Sequence, residues 1–150
     1  MDLNKLVRAS IFTALAIGLG FSLLMVPNVE LITVIVFMAG LMLGVSWGVL
    51  VGGTAELIFS VLIPFGSGRI FPPLLLSQVI SMIIIGASGG LLRPLFFKRD
   101  FSKKKIAGLA ITGFLLTFVF DSLTTLSYPL GAGFDLPQTI GIYISGIGFT

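Results

Sequence analysis

The chain has 150 residues, 56% of them hydrophobic and 10% charged, with a net charge of +3 and a mean hydropathy of +1.15, a composition foreign to water-soluble domains. Apolar stretches long enough to span a bilayer recur along the whole length, which implies an all-α integral membrane protein, leaves no room for a soluble catalytic domain and excludes a lone signal peptide. Cysteine and histidine are absent, which removes disulfides, thiolate and imidazole chemistry and most transition-metal ligation.

No G-x-x-x-x-G-K-[ST] phosphate loop occurs, so any ATP dependence must come from a partner. No cofactor, metal or enzymatic activity is expected. The basic residues lie beside apolar spans, where membrane topology explains them and nucleic acid is not needed.

The first span is expected over about residues 5–26, headed by Lys5 and Arg8, with Ser10, Ala14, Gly18 and Ser22 recurring every fourth residue as a smooth stripe for helix contact, inside the bundle or with an external partner. Pro27-Asn28-Val29-Glu30 favours a turn. A short second span follows over about 31–43 and a third over 47–63. Gly40, Gly44, Gly48 and Gly52 continue in register into Glu56 and Ser60, so small residues and a carboxylate share one side of a helix. That side must meet protein, because an ionised Glu facing lipid costs about 2.5–3.5 kcal/mol on insertion scales. Gly44–Gly48 is the expected turn between the second and third spans.

Pro64–Pro73 reads as a loop, with a fourth span over about 74–92 carrying Gln78 and Ser81. Arg93–Lys105 is a strongly basic connection that anchors topology and attracts anionic lipid. A fifth span, about 106–126, carries Thr117, Asp121, Thr124 and Thr125, with Tyr128 continuing the same stripe. Tyr128–Pro137 reads as a loop, and the sixth span, about 138–150, is still apolar when the chain stops. The N-terminus and the Arg93–Lys105 connection hold eight of the nine basic residues, which predicts a multi-pass protein of the cell membrane with its N-terminus cytoplasmic.

With that orientation, Asn28, Glu30, Glu56, Arg69, Gln78, Asp121, Thr124, Thr125 and Tyr128 all fall toward the outer side, the geometry of an outward-opening pocket. A mostly apolar pocket with a few fixed polar contacts suits a small, weakly charged, partly aromatic molecule. The alternative is a structural or assembly subunit whose buried polar groups only lock helices together. An intramembrane acid/base pair of Glu56 and Asp121 lacks any accompanying nucleophile or metal cluster.

Several segments in sequence carry a family resemblance. Pro27-Asn28-Val29-Glu30-Leu31, Phe37-x-x-Gly40, the glycines leading to Glu56, Phe59-Ser60-x-x-x-Pro64-x-Gly66, and Pro72-Pro73-Leu74-Leu75-x-x-Gln78 together resemble the substrate-binding S component of energy-coupling factor (ECF) transporters. The resemblance implies a six-helix transmembrane bundle that captures a vitamin or related micronutrient from outside. It also implies a coupling transmembrane subunit and two ATP-hydrolysing subunits as partners. In that family two small alanines four apart on the first helix meet the coupling subunit. The matching register here is Ser10-x-x-x-Ala14, continued by Gly18. By the same comparison the sixth helix is truncated, and the family's metal-ion members, which carry histidines at the N-terminus, are poor matches.

Overall fold

The computed structural model describes residues 2–24, 31–63, 70–96 and 102–147. Among them all regular structure is helical: α1 (Leu3–Ser22), α2 (Ile32–Leu43), α3 (Val45–Leu62), α4 (Pro72–Phe96), α5 (Lys103–Ala132) and α6 (Leu136–Ile147). Four of them, α1, α3, α4 and α5, are long and apolar enough to cross a membrane, whereas α2 is a shorter apolar helix. At 12 residues, α2 reaches about 18 Å, less than a hydrocarbon core of about 30 Å.

Helix ends follow local chemistry. Asp2 caps α1 by accepting from the Asn4 amide at 3.2 Å, Ser102 caps α5 by accepting from Lys104, and Asp135 caps α6 by accepting from Gln138. Such side chains satisfy donors that a first turn leaves without an intrahelical partner. Pro72 and Pro73 open α4, where a missing N–H costs nothing.

Several boundaries differ from the sequence reading. Pro94 and Pro129 do not stop their helices: α4 continues to Phe96 and α5 to Ala132. Just before Pro129 the hydroxyls of Thr124 and Ser127 donate to the Phe120 and Thr124 carbonyls of their own helix, and prolines inside membrane helices are tolerated where local adjustments accommodate them. What ends α5 is Gly133 in the left-handed region, with the Gly133 and Phe134 amides both donating to the Pro129 carbonyl. Likewise the α2–α3 turn is a single residue, Gly44, at φ +99°, a conformation that disfavours any side chain.

The centre of the bundle is the α2–α3–α4 contact. Ile32, Val36, Ala39, Leu43, Val51, Ala55, Met82 and Ile85 form most of its apolar core. At its middle three helices approach backbone to backbone: a methyl placed on Gly40 or Gly48 would fall on the Gly86 carbonyl oxygen, one on Gly52 on that of Met82, and one on Gly89 on that of Phe37. Small residues permit this approach, and membrane helices gain dispersion contacts by it. The glycine ladder therefore packs at Gly40, Gly48 and Gly52 and turns the chain at Gly44. Around this centre α1 covers α2 and α3, α5 packs on α4, and α6 packs on α5.

Candidate functional site

The ladder that brings α3 against α4 also buries the first carboxylate. Glu56 is 2% exposed and Ser60, one turn on, is 4% exposed. Ser60 Oγ lies 2.7 Å from Glu56 Oε1 and 3.3 Å from Gln78 Oε1 on α4. One hydroxyl proton cannot serve two acceptors. The shorter contact takes it, and the Gln78 amide, turned about its last torsion, donates an N–H to Ser60 Oγ in return. Ser81, fully buried one turn from Ser77, donates to the Ser77 carbonyl at 2.7 Å.

Glu56 Oε2, in contrast, is buried with no hydrogen-bond partner among the described residues. An orphaned buried oxygen of this kind costs about 1–3 kcal/mol. By helix rise Glu56 lies about 9 Å below the Leu62 end of α3, and Gln78 about 9 Å below the Pro72 end of α4. Both are thus in the half of the bundle remote from the lysine-rich end of α5.

The α5 residues sit elsewhere. Gly131 abuts Pro73 at one end of the α4–α5 pair and Gly108 abuts Phe96 at the other. This antiparallel register sets Thr124 and Thr125 about level with Gln78, and Asp121 about level with Ile83, near the middle of α4. α5 starts at Lys103, runs for 30 residues and extends past the Phe96 end of α4. Thr124 donates to its own helix at Phe120, and Thr125 packs beside Gly146 of α6. Tyr128 is exposed and joins an aromatic group at the loop end, with ring centroids 5.5 Å from Phe71 and 5.9 Å from Phe134.

Of the expected constellation, then, Glu56, Ser60 and Gln78 form one hydrogen-bonded unit, whereas Asp121, Thr124 and Thr125 belong to α5 and its contacts, and Tyr128 to the loop end. Asn28, Glu30 and Arg69 lie outside the described residues. Sequence reading missed the Ser122–Tyr143 hydrogen bond at 2.9 Å that ties α5 to α6. A tyrosine hydroxyl within an apolar span was the available signal, since such a group seeks a partner.

The small-residue stripe of α1 proves to be an outer surface. Ser10, Ala14, Gly18 and Ser22 are all exposed, while Ala9, Ala16 and Gly20 face the bundle. Ser10 and Ser22 donate to carbonyls within α1, which leaves the face smooth and its hydroxyls satisfied. Ser10 and Ala14 border a groove of about 440 Å³ whose other wall is Trp47, Leu50 and Thr54 of α3. A second cavity, of about 520 Å³, lies between α2 and α5; Thr33, Phe37 and Leu41 line it on one side, and Gly113, Leu116 and Thr117 on the other.

The fold defines an all-helical protein with the features of a membrane-embedded, multi-pass chain. Comparison with protein-family models, with characterised proteins and with solved structures returned no match.

Proposed function

We propose that this chain is the substrate-capturing S component of an ECF-type importer, binding a vitamin or related micronutrient and delivering it with a coupling subunit and two ATPases. The observation that carries the proposal is Glu56 Oε2, buried and without a donor among the described residues, in the bundle half remote from the lysine-rich end of α5. A ligand N–H or O–H supplies the missing donor, and the Ser60–Gln78 pair holds the carboxylate in place. On this reading the N-terminus is cytoplasmic and the Glu56 half faces outward.

Two further features support it. The chain has no nucleotide-binding loop, as expected of a subunit that relies on partner ATPases. The exposed Ser10–Ala14–Gly18 face offers a surface on which a coupling subunit can dock. Ser10→Trp, at an exposed position, should leave melting temperature and ligand binding unchanged and abolish co-purification with a coupling subunit; retained assembly would remove that face from the interface.

The binding proposal is tested by thermal shift of the detergent-purified protein against a panel of water-soluble vitamins. One compound is expected to raise the melting temperature at micromolar concentration, and a flat response across the panel would count against the family reading. The second reading, a structural subunit, draws on the same Glu56–Ser60–Gln78 chain, which also ties α3 to α4. It predicts that a complex lacking only this ligand contact assembles and works normally.

A further inference from the structure

The cavity between α2 and α5 has a shape, a depth and a charge pattern that belong to neither the carboxylate site nor the α1 face. Its α5 wall runs from Leu109 to Phe120 and its α2 wall from Thr33 to Leu41. On α5 that is about 16 Å by helix rise, close to the roughly 15 Å that one leaflet contributes to the hydrocarbon core. The α4–α5 register sets Phe120 about level with Ile84, in the middle of α4, and Leu109 about level with Leu95, near its basic end. The slot thus occupies one leaflet's depth, on the side where Arg93 and Lys103–Lys105 stand.

Its lining is apolar apart from the hydroxyls of Thr33 and Thr117, and Gly113 widens it, since a methyl there would meet nothing within 4 Å. Val34, Met38 and Leu109 along its rim are exposed. Lys105 stands one turn below Leu109 on the same side of α5, so the apolar slot leads into the basic cluster.

We infer that the α2–α5 slot binds one anionic glycerophospholipid, an acyl chain lying between Phe37 and Leu116 and the phosphate held at the Lys103–Lys105 end of α5. Basic residues immediately beyond an apolar inter-helix cleft attract anionic headgroups. Lysine stems reach along apolar surface while the ammonium stays at headgroup level. A second copy of this chain fits the slot less well, because two copies in the same orientation would bring their lysine clusters together at the same membrane face. Membrane embedding is the only part of the functional proposal on which the assignment rests.

Native mass spectrometry tests it. Protein in mild detergent is exposed to equimolar phosphatidylglycerol and phosphatidylcholine with identical acyl chains. One retained phosphatidylglycerol is expected, favoured about tenfold over phosphatidylcholine. Gly113→Leu should remove the retained lipid with little change in melting temperature, and Lys103→Gln with Lys104→Gln and Lys105→Gln should abolish the preference between headgroups. Equal retention of both lipids by the unaltered protein, or phosphatidylglycerol kept by Gly113→Leu, would overturn the assignment. A dimer that Gly113→Leu disperses would give the slot to a second copy. Glu56→Leu should keep the lipid, so loss of micronutrient binding and loss of lipid binding are told apart.

Discussion

Replacing Gly86 by alanine is expected to abolish most of the folded, monodisperse protein recoverable in detergent, while the same change at Gly18 or Gly113 leaves it intact. At Gly86 the new methyl would fall on the carbonyl oxygen of Gly48 and come within 3.2 Å of the Val49 amide. Those are backbone atoms of a packed helix, and no rotamer change moves them. Gly86 is also where Gly40 of α2 and Gly48 of α3 both meet α4, so parting one contact parts three helices. Overpacking a core costs about 1–3 kcal/mol and sometimes more, and a contact between rigid backbones belongs at the upper end. At Gly18 and Gly113 a methyl meets nothing within 4 Å, and alanine gains up to about 1 kcal/mol of helix propensity. Size-exclusion profiles and melting curves of the three variants decide it: a Gly86→Ala protein melting with the wild type would mean the three helices are not seated on one another there.

Glu56→Leu should raise thermal stability and eliminate ligand binding together. The substitution removes a buried oxygen that has no partner and fills similar volume with apolar atoms. Ser60, relieved of its nearer acceptor, donates instead to Gln78 Oε1 at 3.3 Å once that amide turns back about its last torsion, so no new orphan is left. Exchanging buried ionisable groups for well-packed apolar ones is often neutral or stabilising, by about 1–4 kcal/mol. A residue that costs stability in its resting surroundings and is needed for binding fits the usual trade between activity and stability. Glu56→Gln keeps size and polarity, so it separates charge from shape: weakened but measurable binding is expected of it. If Glu56→Leu instead destabilises the protein and leaves ligand affinity unchanged, Glu56 locks helices and binds nothing.

The part of the fold written in periodic patterns was legible beforehand. The four-residue recurrence through Gly48, Gly52, Glu56 and Ser60 placed all four on one buried side of α3, where the structure has them. Gly44 could not be separated from its neighbours, because the same residue type serves close packing and a positive φ. Pro94 and Pro129 were placed in connections, yet both lie inside helices, α4 running to Phe96 and α5 to Ala132. On α1 two sets of small residues compete, Ala9–Ala16–Gly20 and Ser10–Ala14–Gly18–Ser22, and only the packing against α2 and α3 decides which faces inward. The pairing of Glu56 with Gln78 needed the α3–α4 register, which no single segment contains.

The most direct measurement is a mass spectrum of small molecules released by denaturing the washed, detergent-purified protein, recorded for wild type and Glu56→Leu side by side. A compound present at near one per chain in the wild type and missing from the folded Glu56→Leu protein is the expected result. A compound retained by Glu56→Leu at the same ratio would contradict a ligand role for that carboxylate.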